Sequence, residues 1–164
     1  MSDLRSSLVG VATPETSSVE GRRWLVLLVY SWIEFNQALV WITYSASAPE
    51  AKVLYGKQLS ESGINLLLNW GPILYLVFVP IVMVMLSNNF RGKGVYYTIG
   101  LGAVLCAAGS IVRMIPTWCS VQQHPIALLL IHVGQILNGA AGPSMAGACS
   151  AFAACWFAPD ERTL

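Results

Sequence analysis

Long apolar stretches separated by short polar segments dominate the pattern of this chain. They cover residues 24–46, 64–86, 95–115 and 126–157. Of the seventeen charged side chains, only Glu34 and Arg113 lie within them. About 20 apolar residues span the hydrocarbon core of a bilayer, and a charge at its centre costs about 2.5–3.5 kcal/mol. The pattern therefore predicts an all-α membrane protein with four transmembrane helices, because barrel strands are shorter and alternate in polarity.

Composition narrows the range of functions. The chain is 55% hydrophobic and 10% charged, with a net charge of +1, which favours a lipid bilayer as partner and argues against a nucleic acid. The four cysteines have neither the spacing nor the histidine partners of a zinc site. We find no phosphate-binding loop and no catalytic motif, so we expect neither an enzyme nor a cofactor or metal.

The terminal segments and the loops indicate how the chain is divided into domains and how it is oriented in the membrane. Residues 1–23 are polar and have no apolar period, which predicts a disordered cytoplasmic tail before a bundle formed by residues 24–164. Positive residues predominate on the side of the N-terminus, where we count Arg5, Arg22, Arg23, Arg91, Lys93 and Arg162. The other side carries Lys52 and Lys57, with Arg113 near its boundary. This bias predicts a multi-pass protein with a cytoplasmic N-terminus. It does not distinguish the plasma membrane from the lysosomal membrane, and both are expected hosts.

One face of the first predicted helix carries an acidic, an amide and two aromatic side chains. Glu34, Gln37, Trp41 and Tyr44 are spaced three, four and three residues apart, which places them on the same side of a helix. A carboxylate inside a membrane is tolerable only when it is paired, protonated or hydrated, so Glu34 is a candidate for proton coupling. Aromatic faces can hold a small organic cation. The alternative is that Glu34 hydrogen-bonds in helix packing and that both aromatics anchor the interface.

The second and fourth stretches add further polar candidates. Asn69 and Trp70 precede a proline on the second helix, and His132, Gln135 and Asn138 lie within two turns on the fourth. All but His132 are candidates for lining a substrate pathway, and His132 is a second candidate for proton coupling. Each of them also fits a role in helix packing, since polar side chains hydrogen-bond across membrane helices.

Two further features have alternative interpretations. The fourth stretch, with 32 residues, is too long for one perpendicular span, so we expect it to tilt, protrude or break. Gly142, Ala146, Ser150 and Ala154 recur along it every four residues, a spacing suited to tight helix packing. Arg113, at the end of the third stretch, either reaches the membrane interface or pairs with an acid.

Several short motifs resemble one known family. They are RRWLVLL at 22–28, WITY at 41–44, NWGP at 69–72, SVQQH at 120–124, GQILNGAAGP at 134–143 and WFAPDER at 156–162. Together they resemble solute carrier family 49 of the major facilitator superfamily, which includes the feline leukaemia virus subgroup C receptor-related proteins. The NWGP and LNGAAGP pieces are most similar to its "disrupted in renal carcinoma 2" branch. The resemblance extends from Arg22 to Leu164.

This resemblance implies a fold of twelve helices that rock around a site at the membrane midplane. The chain would supply helices one to four, and we expect it to need the remaining C-terminal helices before it can transport. Family members are associated with haem, choline-type cations and proton-driven movement of pyridoxine. In choline-transporting members a tryptophan at the place of Trp41 forms part of the cation cage.

The resemblance is imperfect in the predicted gating loop after the second helix. Arg91 and Lys93 lie in this loop, where residues 87–93 carry asparagine in place of the aspartate that the superfamily usually has. Glu34 is also unusual for the family, so its suggested proton role rests on physics alone.

Two functions remain as hypotheses. The first is part of a secondary transporter that moves a small organic solute, with or without protons, by alternating access. The alternative is a complete four-helix membrane scaffold or adaptor.

Overall fold

The computed structural model describes residues 15–87 and 93–157, with side chains from residue 21 onwards. Within these ranges the chain is almost entirely helical: α1 is Glu15–Ala46, α2 is Ala48–Tyr55, α3 is Glu61–Leu86, α4 is Gly94–Trp118 and α5 is Pro125–Trp156. A 3₁₀ turn, Gly56–Gln58, follows α2. Four of these helices, α1, α3, α4 and α5, are long and apolar enough to cross a membrane. The predicted all-α fold with four membrane helices is therefore confirmed.

The helix ends differ from the predicted boundaries. α1 begins at Glu15, so residues 15–23, which we predicted as the end of a disordered tail, are helical. The apolar span that follows provides the nucleus from which this polar turn extends, because adding a residue to an existing helix costs much less than starting one. The rest of the predicted tail, residues 1–14, lies outside the described residues.

α5 is continuous over its 32 residues, with Pro143 inside the helix. It therefore does not break, although a break was one of the alternatives for so long a span. α5 is also the central helix of the bundle. In its most apolar stretch 44% of the residues are buried, against 22% for α4 and 11% for α1 and for α3.

Glycines allow α4 and α5 to approach closely. A Cβ atom added to Gly109 would lie 2.6 Å from the Gly134 carbonyl oxygen, and one added to Gly134 would lie 2.7 Å from the Gly109 carbonyl oxygen. Neither position has room for a side chain. Small residues at a crossing let neighbouring membrane helices pack closely.

Two apolar clusters form the ends of the bundle. At the tail end, where α1 begins and α5 ends, buried Tyr30, Met145 and Phe152 pack together, and the Tyr30 and Phe152 rings stack with centroids 4.7 Å apart. At the loop end, where α2 lies, the cluster contains Tyr44, Ala51, Tyr55, Leu59, Ile64, Leu67, Ala127 and Ile131. Within the tail-end cluster the Tyr30 hydroxyl also donates to the Met145 carbonyl over 2.6 Å.

α2 was not predicted, because eight residues are too few to give a clear apolar period. It lies in the segment between the first two spans and buries Ala51 and Tyr55 against the loop-end cluster. Lys52 forms an exposed ion pair of 2.8 Å with Glu61 at the start of α3. Such a pair contributes at most about 1 kcal/mol, so the apolar contacts of α2 are its main attachment.

Candidate functional site

A layer of side-chain hydrogen bonds joins α1 to α5 halfway along the bundle. Gln37 Nε2 donates to the Asn138 carbonyl and Asn138 Nδ2 donates to the Gln37 carbonyl, each over 3.2 Å. Gln135 Nε2 donates over 2.9 Å to the carbonyl of Trp41. Gln135 and Asn138 are almost completely buried. In this structure the side chains of Gln135 and Asn138 both form hydrogen bonds between helices. This is the helix-packing interpretation that the sequence left open.

A cavity of about 620 Å³, open on one side, lies beside this layer between α1, α3 and α5. We call it the central cavity, and its lining residues are Glu34, Gln37, Ala38, Trp41, Gly71, Pro72, Tyr75, Leu76, Gly139, Gly142 and Ala146. Its size lies within the range of ordinary small-molecule sites. Three members of the predicted α1 face line it, namely Glu34, Gln37 and Trp41.

The position of Trp41 follows from the local chemistry of α3. Pro72 has no backbone N–H, so the Leu68 carbonyl, four residues earlier, lacks its usual helical donor. Trp41 Nε1 donates to this carbonyl over 2.9 Å. Gly71 makes room for the indole, because a Cβ atom there would lie 2.6 Å from Trp41 Nε1. The Gly71–Pro72 pair therefore provides both the space and the acceptor that hold the ring at the cavity wall.

Glu34 supplies the charged side chain that lines the central cavity. Its side chain is half-buried, and its Oε2 atom is buried without a hydrogen-bond partner among the described residues. A buried carboxylate oxygen without a donor is costly. Protonation of the carboxyl group lowers this cost, and a cationic group in the cavity would offset the negative charge.

Tyr75 and the small residues of α5 complete the cavity. Tyr75 lies one turn after Gly71 on α3 and was not singled out from the sequence. The signal that could have found it is its spacing of four residues from Gly71, which puts both on one helix face. Gly142 and Ala146, from the predicted small-residue stripe, line the opposite wall, and Ala146 is exposed. Here these small residues leave space for the cavity as well as for packing.

The remaining candidates of α3 and α5 lie away from the cavity lining. Trp70 Nε1 donates to His132 Nδ1 over 3.1 Å, which joins the two helices. Asn69 is exposed on α3. His132, which looked isolated in the sequence, thus has a partner, and in this arrangement its Nδ1 atom is the acceptor.

Tyr44, the fourth member of the predicted α1 face, belongs to a different pocket. This loop-end pocket, of about 440 Å³, is lined by Val40, Thr43, Tyr44, Ser47, Glu50, Ala51, Leu54, Tyr55, Ser110, Arg113, Met114 and Thr117. Arg113 Nη1 donates over 2.6 Å to the Val40 carbonyl, and its Cζ atom lies 4.5 Å from the centroid of the Tyr44 ring. Within the described residues Arg113 is not paired with an acid, one of the two alternatives that the sequence offered.

Comparison with known proteins identifies the family. The chain is 39% identical over 158 residues to a solute carrier family 49 member 4 homolog from Xenopus laevis, with 96% of the chain and 32% of that protein covered. It is 30% identical over 153 residues to the choline/ethanolamine transporter FLVCR1 from Felis catus, with 93% and 25% covered. An uncharacterized MFS-type transporter from Caenorhabditis elegans is 24% identical over 140 residues, with 85% and 22% covered. The chain belongs to solute carrier family 49.

The solute carrier family 49 chain spans about a third of the length of the first of these relatives. No family model matches it, and no solved structure matches it. The names of the relatives are those of transporters and not of enzymes, in line with the expectation that this chain is not an enzyme.

The predicted gating loop of this family 49 chain is described only in part. Arg91 lies outside the described residues, and Lys93 is exposed immediately before α4. The gating role of both residues stays a prediction.

Proposed function

We propose that this family 49 chain forms the first four spans of a secondary transporter that moves a small organic cation by alternating access. Trp41 and Glu34 would contact the substrate in the central cavity. The relatives support the transporter function, and the one from Felis catus is named a choline/ethanolamine transporter. The open side of the cavity is where the remaining helices of a longer protein would close the site.

One observation carries this proposal: a pinned indole and a carboxyl side chain, one of whose oxygens is buried without a donor, belong to residues that line the same cavity. Trp41 is fixed by its bond to the Leu68 carbonyl, and Glu34 Oε2 has no donor among the described residues. A quaternary or protonated amine matches both groups, because the ring face attracts a cation by about 0.5–2 kcal/mol and the carboxylate neutralises it. Tyr75 adds a second aromatic wall. Choline, a quaternary amine, is therefore the first substrate to test, and pyridoxine and haem-related solutes follow from the family resemblance.

Proton coupling at Glu34 is the finer part of the proposal. A carboxylate that alternates between a proton and a cationic substrate couples the two movements, because the site cannot hold both at once. His132 lies outside the cavity lining, and its Nδ1 atom accepts a hydrogen bond from Trp70 Nε1. Glu34 is therefore the better candidate, with His132 as the second. We further propose a cytoplasmic N-terminus, and a plasma or lysosomal membrane as host.

Uptake of radiolabelled choline and pyridoxine tests the proposal in the longest natural form of the protein that carries this chain. Trp41→Ala should remove most of the uptake at unchanged surface abundance, and Trp41→Phe should keep part of it because a ring face remains. Trp32→Ala is the matched control, since Trp32 is on the same helix, 66% exposed and outside the cavity lining. Equal uptake in the Trp41→Ala and Trp32→Ala variants would remove the central cavity from the substrate path. Normal surface abundance without any uptake in the unmodified protein would favour the scaffold alternative.

A further inference from the structure

The proposed transport site does not explain why the charged side chain of Arg113 lines the loop-end pocket. A guanidinium has five N–H donors. One nitrogen, Nη1, donates to the Val40 carbonyl, and this is the one hydrogen bond that Arg113 makes within the described residues. None of the described carboxylates lies within 4.0 Å of its nitrogens. The guanidinium of Arg113 is therefore a positive charge near the end of a membrane helix, and most of its N–H groups have no hydrogen-bond acceptor within the described residues.

The surroundings of Arg113 form a pocket of ligand size. Its volume of about 440 Å³ lies within the range of small-molecule sites. Thr43, Ser110 and Thr117 line it together with Leu54 and Met114. The hydroxyl groups of Thr43 and Ser110 donate to backbone carbonyls of their own helices. The pocket therefore offers a fixed cation, uncharged polar groups and apolar walls.

Two aromatic residues, Tyr44 and Tyr55, line the pocket beside Arg113 and add no charge to it. Tyr44 is buried with its ring against Arg113, and the ring centroids of Tyr44 and Tyr55 lie 6.2 Å apart. Burial raises the pKa of the Tyr55 hydroxyl well above its usual value. Tyr55 thus stays uncharged at physiological pH and contributes no negative charge that would neutralise Arg113.

We propose that the loop-end pocket binds a small carboxylate with an apolar body, whose carboxylate pairs with the guanidinium of Arg113. The planar fork of N–H groups on arginine matches the two oxygens of a carboxylate better than it matches a spherical ion. The apolar body lies against Leu54, Met114 and Tyr55. This site is separate from the central cavity, so the inference does not depend on the proposed transport function.

Glu50 is the one lining residue that opposes an anion. It is exposed in the first turn of α2, at the rim of the pocket, and does not pair with Arg113. Its negative charge lowers the affinity for a carboxylate. Removal of this charge should therefore strengthen the binding of a carboxylate but not that of an uncharged ligand of the same shape.

Thermal unfolding of the purified protein in a neutral detergent, followed by tryptophan fluorescence, tests the site. Benzoate is the probe, benzamide is its uncharged counterpart, and acetate carries the charge without the apolar body. We expect a saturable rise of Tm with benzoate, a smaller rise with acetate and none with benzamide, because a ligand stabilises the state that it binds. Equal shifts with benzoate and benzamide would overturn the proposal.

Variants separate the site from general salt effects. Arg113→Gln should weaken benzoate binding about tenfold or more, since a charge-assisted hydrogen bond contributes about 1.5–3 kcal/mol. Glu50→Gln should strengthen it several-fold, and Lys57→Gln, which removes an exposed cation outside the pocket, should leave it unchanged. If Arg113→Gln does not fold, stronger binding in Glu50→Gln together with unchanged binding in Lys57→Gln still decides. Unchanged affinity in Glu50→Gln, or in a folded Arg113→Gln, contradicts the assignment.

Discussion

The central cavity and the loop-end pocket share helix α1 but present opposite charges. Glu34 supplies a carboxylate to the first, and Arg113 supplies a guanidinium to the second. Four residues that the sequence placed on one helix face are divided between them, since Glu34, Gln37 and Trp41 line the cavity whereas Tyr44 lies beside Arg113. One helix face can therefore serve two sites, because different neighbours cover its two ends: α3 and α5 at the cavity, and α2 and α4 at the pocket.

The largest expected effect comes from making both regions positive. Glu34→Lys would place an ammonium in the central cavity, where it repels a cationic substrate and fills the space next to Trp41. We expect choline or pyridoxine uptake to fall to background, while the Tm rise with benzoate at the loop-end pocket is retained. Uptake and ligand-induced Tm shifts measured on the same preparations check this contrast. If both responses disappear together, the variant has lost its fold or the two regions are not independent.

A second variant alters the cavity by shape alone. Gly71→Ala adds a Cβ atom at a position 2.6 Å from Trp41 Nε1, so the indole has to move away from the Leu68 carbonyl. We expect about a tenfold loss of uptake, comparable with the loss of one well-placed contact of about 1.4 kcal/mol. The initial rate of uptake is the measurement. Gly100→Ala on α4 is the control, because nothing lies within 4 Å of a Cβ atom there. A full rate in Gly71→Ala would show that the pinned indole is not required.

A third variant removes only the titratable charge of the cavity. Glu34→Gln keeps the shape and the hydrogen-bonding capacity but can no longer exchange a proton, so the dependence of uptake on pH should flatten. Uptake is measured between about pH 5 and pH 8, a range in which histidine also titrates. His132→Gln is therefore run alongside. A pH profile that persists in Glu34→Gln but flattens in His132→Gln would transfer the coupling role to His132.

The smallest expected effect concerns the attachment of α2 beside the loop-end pocket. Lys52→Ala removes the exposed ion pair with Glu61, and we expect a loss of at most about 1 kcal/mol in the free energy of unfolding. Uptake through the central cavity should not change. Chemical denaturation at low and high salt measures the difference, which should shrink as salt screens the pair. A loss of several kcal/mol would mean that α2 is held by this pair and not by Tyr55 and Ala51.

The long helices could be predicted from the sequence, whereas the polar contacts between them could be predicted only in part. Gln135 and Asn138 were found as polar residues inside a span, but the carbonyls that they reach, those of Trp41 and Gln37, have no sequence signal. The same holds for Arg113, whose acceptor is the backbone of Val40. Side chains that bond to backbone leave no complementary residue in the sequence, so their partners cannot be identified from composition or spacing.

By itself the sequence determined the four apolar helices, the position of the charges inside them and the motifs of solute carrier family 49, because a bilayer excludes charge and requires spans of a certain length. The tertiary structure decided which polar groups face a cavity and which join helices. That choice depends on how closely neighbouring helices approach. It is set by glycines such as Gly71, Gly109 and Gly134, and by the carbonyl that Pro72 leaves without a donor.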